Sequence, residues 1–166
     1  MSGRRGFTLI ELLIVVLIVA TLASLSMSLF QMHDDERLQG AVRIFQADVE
    51  WARSASLANP DDPARIHVLE DGSGWYIART SAALVPLEAA DGAPMRRVLG
   101  EGLAAAAAGI TVTTSPSGTK ILEFDPFGGV RSGPTGLSFV LPDSDSECLI
   151  TFEPGSGSLI STYSNP

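Results

Sequence analysis

The chain begins with a long apolar segment. Residues 7–30 are apolar or small and uncharged except for one ionisable side chain, Glu11. A helix of these 24 residues is about 36 Å long, which exceeds the hydrocarbon thickness of about 30 Å. The pattern therefore predicts a helix that can cross a bilayer.

The next segment, residues 31–58, alternates apolar and polar positions at helical spacing. No proline interrupts it, and one continuous helix is predicted to run to about Ala58, before Pro60. Ile44 and Trp51 are predicted to widen its apolar stripe. The stripe itself contains Leu38, Val42, Phe45, Val49 and Ala52. The opposite, solvated face is predicted to contain Glu36, Arg43, Gln46, Glu50 and Arg53. Such a half-helix needs an apolar surface to pack against.

From residue 59 onward the pattern is typical of short strands separated by turns. Alternation around Ile66 and Val68, a turn at residues 71–74 and the run 75–78 predict a hairpin. Further strands are predicted at residues 110–114, 120–124, 137–141, 148–152 and 158–161. In the weakly patterned part between them, short strands at 84–87 and 97–99 and either a helical turn or a loop at 104–108 are alternatives. The predicted fold class is α+β, with a long N-terminal helix packed on an antiparallel β-sheet head.

The pattern divides the chain into four parts. Residues 1–6 form a basic leader, residues 7–30 the membrane half of the helix, residues 31–58 its amphipathic half, and residues 59–166 a β-rich head. Arg4 and Arg5 hold the leader in the cytoplasm by the positive-inside rule, so the head is predicted to lie outside it.

Composition narrows the class of partners. The net charge is −8 and the pI is near 4.6, which argues against nucleic acid because phosphate binding requires clustered Lys and Arg. Lys120 is the only lysine, and in the head only Arg96 and Arg97 place two positive charges side by side. The single cysteine, Cys148, excludes an internal disulfide and is predicted to be a buried strand residue.

Three interpretations compete for the start of the chain. A cleaved signal peptide would use small residues near Thr21–Ala23, but a carboxylate at the position of Glu11 is unusual there. A plain signal anchor would use Thr8 and Glu11 as a capping box, in which each side chain satisfies free backbone groups at the helix start. Neither explains the adjoining Gly6–Phe7 junction.

The third interpretation rests on residues 4–13, RRGFTLIELL. This segment resembles the class III signal of type IV pilins and type II secretion pseudopilins. The resemblance implies that a prepilin peptidase cuts the Gly6–Phe7 bond and methylates the new N-terminus at Phe7. The apolar helix then remains part of the mature protein.

The resemblance also implies a role for Glu11. A carboxylate in hydrocarbon costs a few kcal/mol unless it is paired. Cleavage creates an amine on Phe7, and a neighbouring subunit in a packed bundle can bring that amine to Glu11. The pair would then set the register between subunits, and capping through Thr8 is compatible with it.

The layout of the head is similar to that of H-type minor pseudopilins, which share a family with certain minor type IV pilins. Residues 124–129, FDPFGG, resemble the F-x-x-x-G turn of their later strands. DNA-binding minor pilins of this family have basic residues near the C-terminus, whereas residues 153–166 contain no Lys or Arg.

The resemblance implies a structural, non-enzymatic minor pseudopilin of the type II secretion system. Its implied partners are major and minor pseudopilins, the prepilin peptidase, the inner-membrane assembly platform and the lipid bilayer, with no nucleic acid. Its implied location is the inner membrane, single-pass with a periplasmic head, from which it is extracted into the pseudopilus. The alternatives are a minor type IV pilin, used in pilus priming or DNA uptake, and a membrane-anchored periplasmic binding domain or enzyme.

The sequence predicts no catalytic residue, metal site or cofactor. His33 is predicted to be juxtamembrane and solvated, and His67 to lie on the wet face of a strand. Neither has the neighbours of a zinc site or a nucleophile. Asp143, Asp145 and Glu147 could hold calcium through oxygen ligands, but a solvated turn is favoured because EF-hand spacing is absent.

Overall fold

One long helix precedes all the strands in the computed structural model. The model describes residues 9–142, 146–153 and 158–164, with only the backbone described for residues 22–33. Helix α1, Leu9–Ala58, is continuous over 50 residues. It ends just before Pro60, which cannot donate a hydrogen bond within a helix.

The rest of the described chain is β-rich and contains one 3₁₀ helix, Gly102–Ala107, which is the helical-turn alternative of the two left open for residues 104–108. The strands are β1 Ala64–Val68, β2 Gly74–Arg79, β3 Arg96–Val98, β4 Thr111–Ser115, β5 Ile121–Phe124, β6 Val130–Ser132, β7 Gly136–Val140, β8 Glu147–Phe152 and β9 Leu159–Ser164. The structure therefore confirms the α+β class.

The strands form two antiparallel sheets. The five-stranded sheet has the order β3-β2-β1-β5-β6, and the four-stranded sheet has the order β4-β7-β8-β9. The β1–β2 hairpin is confirmed, with Ile66 opposite Ile77. Its turn meets the second sheet, where Val112 N donates to Gly72 O at 2.8 Å. Gly72 has a φ of +71°, and a Cβ there would lie 2.7 Å from Val112 O, so only glycine fits this contact.

The predicted apolar stripe of α1 forms the centre of the core. All five of its residues are buried, and Ile44 packs against the same cluster. The prediction for Trp51 was wrong: its side chain is 37% exposed, because it lies beyond the edge of the surface that the sheets cover. Phe45 of α1 makes edge-to-face ring contacts with Trp75 of β2 at 5.1 Å and with Phe139 of β7 at 5.7 Å. These contacts join the helix to both sheets.

Three details of the strand region differ from the sequence predictions. Residues 84–87 form a turn with an isolated bridge at Pro86 instead of a strand. The predicted strands at residues 110–114 and 120–124 correspond to β4 and β5, which belong to two different sheets, whereas a single antiparallel sheet was predicted. Strand β6 was not predicted, because three residues are too short a run to produce a readable alternation.

Candidate functional site

The predicted processing and assembly site lies at the start of α1. Glu11 is in the first turn of the helix, and its side chain is exposed. The other predicted site residues lie outside the described residues: Arg4, Arg5, Gly6, Phe7 and Thr8. The proposed capping, cleavage and methylation roles of these residues therefore stay predictions.

Glu11 is surrounded along the helix by apolar side chains. The large apolar residues from Leu9 to Val19 are each 47–85% exposed, and they occupy every direction around the helix axis. These exposed apolar residues are Leu9, Ile10, Leu12, Leu13, Ile14, Val15, Val16, Leu17, Ile18 and Val19. An apolar surface of this extent marks a site that contacts another apolar medium or molecule.

The head of the same chain is far from this carboxylate. Leu38, the first buried residue of α1 in the described part, lies 27 positions after Glu11. That separation is about 40 Å along a helix. The folded head of the same chain therefore cannot reach Glu11. A group from a head can neutralise this carboxylate only if that head belongs to a different molecule.

Within the helix residues whose side chains are described, no stretch is both long enough and apolar enough to cross a membrane.

The membrane-spanning role predicted for residues 7–30 stays a prediction.

Arginine side chains fix the helix to the head. Arg37 donates to the carbonyl oxygens of Ala106 and Ala108 beside the 3₁₀ helix. Arg53 Nε donates to Gly128 O at 2.9 Å in the turn between β5 and β6. Arg79 of β2 donates to Ala55 O at 3.0 Å, near the C-terminal end of α1. Basic groups at that end also complement the helix dipole. These bonds use the three arginines in contacts between the helix and the head.

The most buried ionic contact is a cluster of Asp48, Trp75 and Arg97. Asp48 on α1 accepts a hydrogen bond from Trp75 Nε1 at 2.8 Å. It also accepts two from Arg97 of β3, each at 3.1 Å, in a bidentate arrangement. The Asp48 side chain is 7% exposed and that of Arg97 is 19% exposed. The Arg96–Arg97 pair is therefore not an outward basic patch, since Arg97 is committed to the interior.

We expect replacement of Asp48 by alanine to lower the free energy of unfolding by about 3 kcal/mol, because it leaves a buried guanidinium and an indole N–H without their acceptor. Urea unfolding in detergent, followed by Trp fluorescence, measures this loss. Glu50→Ala is the matched control: Glu50 pairs with Arg53 at 3.0 Å but is 65% exposed, so its removal should cost less than about 1 kcal/mol. Equal losses in the two variants would contradict a structural role for the buried cluster.

His67 corrects a sequence prediction. It was predicted on the wet face of β1, but it is buried and stacks on Tyr76 of β2 with ring centroids 4.8 Å apart. Its Nε2 atom has no hydrogen-bond partner among the described residues. It also borders an open groove of about 620 Å³ that Leu84 and Lys120 help to line. The outer face of the sheet is covered here by the turn at residues 81–85, where Ala83 O accepts from Tyr76 Oη at 3.2 Å.

This environment makes stability depend on pH. Burial lowers the pKa of His67 below its ordinary value of 6.5; the charge of Arg65 lowers it further, and Glu123 opposes the shift. Well above pH 6.5 the imidazole is neutral in both the folded and the unfolded chain, so there it adds nothing to the pH dependence of stability. As the pH falls below that value, the unfolded chain binds the proton first and stability is lost. We expect the urea midpoint to fall more between pH 7.5 and 5.5 for the wild type than for His67→Gln; parallel falls would refute the assignment.

The remaining candidate groups form no metal-binding cluster in the part of the chain that the structure describes. Among those residues no group of three or more His, Cys, Asp or Glu side chains could hold a metal ion. Asp143 and Asp145 of the calcium alternative, and the His33 side chain, lie outside the description, whereas Glu147 is exposed. Cys148 is buried in β8 as predicted, and burial raises the pKa of its thiol, which disfavours the reactive thiolate.

One comparison with known proteins identifies the start of the chain. Residues 1–27 match the family model described as the prokaryotic N-terminal methylation motif. The chain thus carries a type IV pilin-like prepilin signal, which is typical of structural, membrane-anchored proteins that are cleaved by prepilin peptidase, methylated and assembled with other pilins. No curated protein and no solved structure matches the chain.

Sequence reasoning missed the Asp48 cluster. On the helix, Asp48 lies three positions after Phe45 and four before Ala52 of the buried stripe, so it borders the apolar face, whereas Glu50, also next to Val49, projects to the solvated face. Nothing in the sequence connects it with Arg97, because that contact spans 49 positions and depends on how β3 joins the sheet.

Proposed function

We propose that this protein is a structural minor pseudopilin of the type II secretion system, which assembles into the periplasmic pseudopilus that drives protein export. The observation that supports it most is the position of the Glu11 carboxylate among the exposed apolar side chains of residues 9–19, in the first turn of the helix. That carboxylate lies inside the matched methylation motif. The later part of the helix, from Leu38 to Ala52, packs on a β-sheet head.

The proposed mechanism begins with processing. Prepilin peptidase removes residues 1–6 at the Gly6–Phe7 bond and methylates the amine of Phe7. Before cleavage, Arg4 and Arg5 keep the leader in the cytoplasm and prevent extraction of the helix from the bilayer. After cleavage, residues 7–30 hold the protein in the inner membrane with the head in the periplasm.

Assembly then depends on charge pairing between subunits. The cationic amine of Phe7 on one subunit meets Glu11 of its neighbour, while the apolar side chains around Glu11 pack against neighbouring helices. An ion pair in a low-dielectric bundle is strong only at close range, so it forms at one rise between subunits. The inner-membrane assembly platform would supply the movement, and the ion pair would supply the register.

The distribution of charge in the head favours protein partners over nucleic acid. Arg37, Arg53, Arg79 and Arg97 are used in contacts between the helix and the head. The chain has a net charge of −8, and most of the described carboxylates in residues 59–166 are exposed, where they repel polyanions. This supports a secretion role over the DNA-uptake role of a minor type IV pilin, which would use the same N-terminal signal.

Deletion of the gene in the host tests this proposal. A type II pseudopilin predicts that exported proteins accumulate in the periplasm while surface pili and DNA uptake stay normal. Re-expression of the full chain should restore export, and re-expression of the Glu11→Val variant should not. Loss of pili or of DNA uptake with normal export would assign the chain to a type IV pilus instead.

A further inference from the structure

The last strand of the four-stranded sheet leaves one edge open. Strand β9, Leu159–Ser164, pairs with β8 on one side, and no backbone hydrogen bond joins it to any other described segment. An edge strand presents a row of unpaired N–H and C=O groups, which form a ready template for another strand.

The other sheet edges in the described residues are protected by means that β9 lacks. The two outer strands of the five-stranded sheet, β3 and β6, have only three residues each and contain arginine. The outer edge of β4 is partly covered, because Val112 N donates to Gly72 O. Strand β9 has six residues, LISTYS, with no charge, proline or glycine. Short length, charge and cover are the usual protections of an edge, so this one edge remains competent to accept a strand.

The hydrogen-bond pattern identifies which backbone groups point outward. Glu153 N donates to Ser158 O at 3.0 Å, next to the end of the β8–β9 ladder. In an antiparallel pair, hydrogen-bonded and non-bonded positions alternate. Leu159, Ser161 and Tyr163 therefore occupy the non-bonded positions, and their N–H and C=O groups point away from β8.

Exposed apolar side chains flank this edge on both faces of the sheet. Ile160 is 56% exposed on the outer face, and Leu149 of β8 is partly exposed on the same face. Tyr163 is 48% exposed on the opposite face, opposite Cys148. An added strand would pack its alternating side chains against these residues, since cross-strand apolar and aromatic pairs stabilise a sheet.

We propose that the open edge of β9 is a docking site for an extended, uncharged segment of another protein chain, which adds as a fifth strand to the four-stranded sheet. The charges at the ends of the ladder favour basic residues at the flanks of that segment, because Glu147 and Glu153 are both exposed there. The net charge of −8 disfavours a second copy of this chain as the occupant. Strand addition of this kind takes affinity from backbone bonds and specificity from the alternating side chains. This docking proposal does not depend on the proposed function.

A synthetic strand peptide tests this site on the full chain in detergent. The probe is the heptapeptide Lys-Val-Thr-Val-Thr-Val-Lys, and the readout is amide hydrogen exchange by NMR at single residues. The peptide should slow the exchange of the outward amides of Leu159, Ser161 and Tyr163 about tenfold at saturation. A control peptide with proline at both threonine positions should leave their exchange unchanged.

Two variants make the test specific. Ser161→Pro removes one outward N–H group without changing the hydrogen bonds between β8 and β9. It should weaken peptide binding at least about tenfold, which is the equivalent of one backbone hydrogen bond. Its control, Ser161→Ala, should bind the peptide normally. If Ser161→Pro does not fold, Ile160→Lys places a repulsive charge on the flanking surface and should weaken binding similarly. Its control, Leu84→Lys, changes an apolar residue that is 86% exposed in the turn after β2.

Three results would overturn the proposal. The first is unchanged exchange in the wild type with peptide present. The second is equal slowing in the Ser161→Pro or Ile160→Lys variant. The third is slowing without peptide that increases with protein concentration, which would identify a second copy of this chain as the occupant.

Discussion

Replacement of Glu11 by valine leaves membrane insertion and leader cleavage intact and abolishes incorporation into the filament. Insertion is preserved because valine removes a carboxylate that costs a few kcal/mol in hydrocarbon. Assembly is lost because the amine of Phe7 on the adjacent subunit no longer has a counter-ion at the correct rise. Cross-linking of the variant to sister subunits in intact cells, compared with the wild type, measures the loss.

Glu36→Val is the matched control for this variant. Glu36 is an exposed carboxylate of the same helix, 25 positions later and in its polar half, so its removal should leave assembly intact. Normal co-assembly of Glu11→Val would exclude the pairing mechanism. Failure of Glu11→Val to insert or to be cleaved would contradict the assignment of its role to assembly.

Replacement of Gly6 by isoleucine leaves the precursor uncut. A bulky side chain before the scissile bond obstructs the peptidase, so residues 1–6 with Arg4 and Arg5 remain attached. The retained charges anchor the helix on the cytoplasmic side, and the amine of Phe7 is never formed. We expect all of the variant to migrate as precursor on electrophoresis and none to enter the filament.

Gly3→Ile controls for the bulk and hydrophobicity of the new residue, because Gly3 belongs to the leader but does not border the scissile bond. That variant should be cut and assembled normally. Complete processing of Gly6→Ile would contradict cleavage at Gly6–Phe7.

The helix and its packing face could be predicted well from the sequence. The stripe from Leu38 to Ala52 repeats at helical spacing and is buried throughout, since periodicity reports directly on which face of a helix meets a core. Trp51 shows the limit of this signal. Its apolar character predicted burial, but the width of the covered face is set by the sheets, whose arrangement the helix sequence does not contain.

The arrangement of the strands could be predicted less well from the sequence. Strand positions follow from local alternation, but partners across a sheet depend on contacts between distant segments, so the separation of β4 and β5 into two sheets could not be foreseen. His67 was misplaced for the same reason. Its alternation with Ile66 and Val68 correctly assigns His67 to the opposite face of β1. That face was predicted to be solvated, but the turn at residues 81–85 covers it.

The N-terminal motif was recognisable because its residues form one contiguous segment. Gly6, Phe7 and Glu11 lie within one short stretch, and the matched motif covers the same residues. The Asp48 cluster has no such linear signature, since its three residues come from α1, β2 and β3 and meet only in the folded head.

Mass spectrometry of the N-terminus of the native protein tests the central claim most directly. In cells with an active prepilin peptidase, we predict a chain that begins at Phe7 and carries one methyl group on its amine. A chain that begins at Ser24, or one that retains Met1, would contradict the assignment to a pilin-like filament.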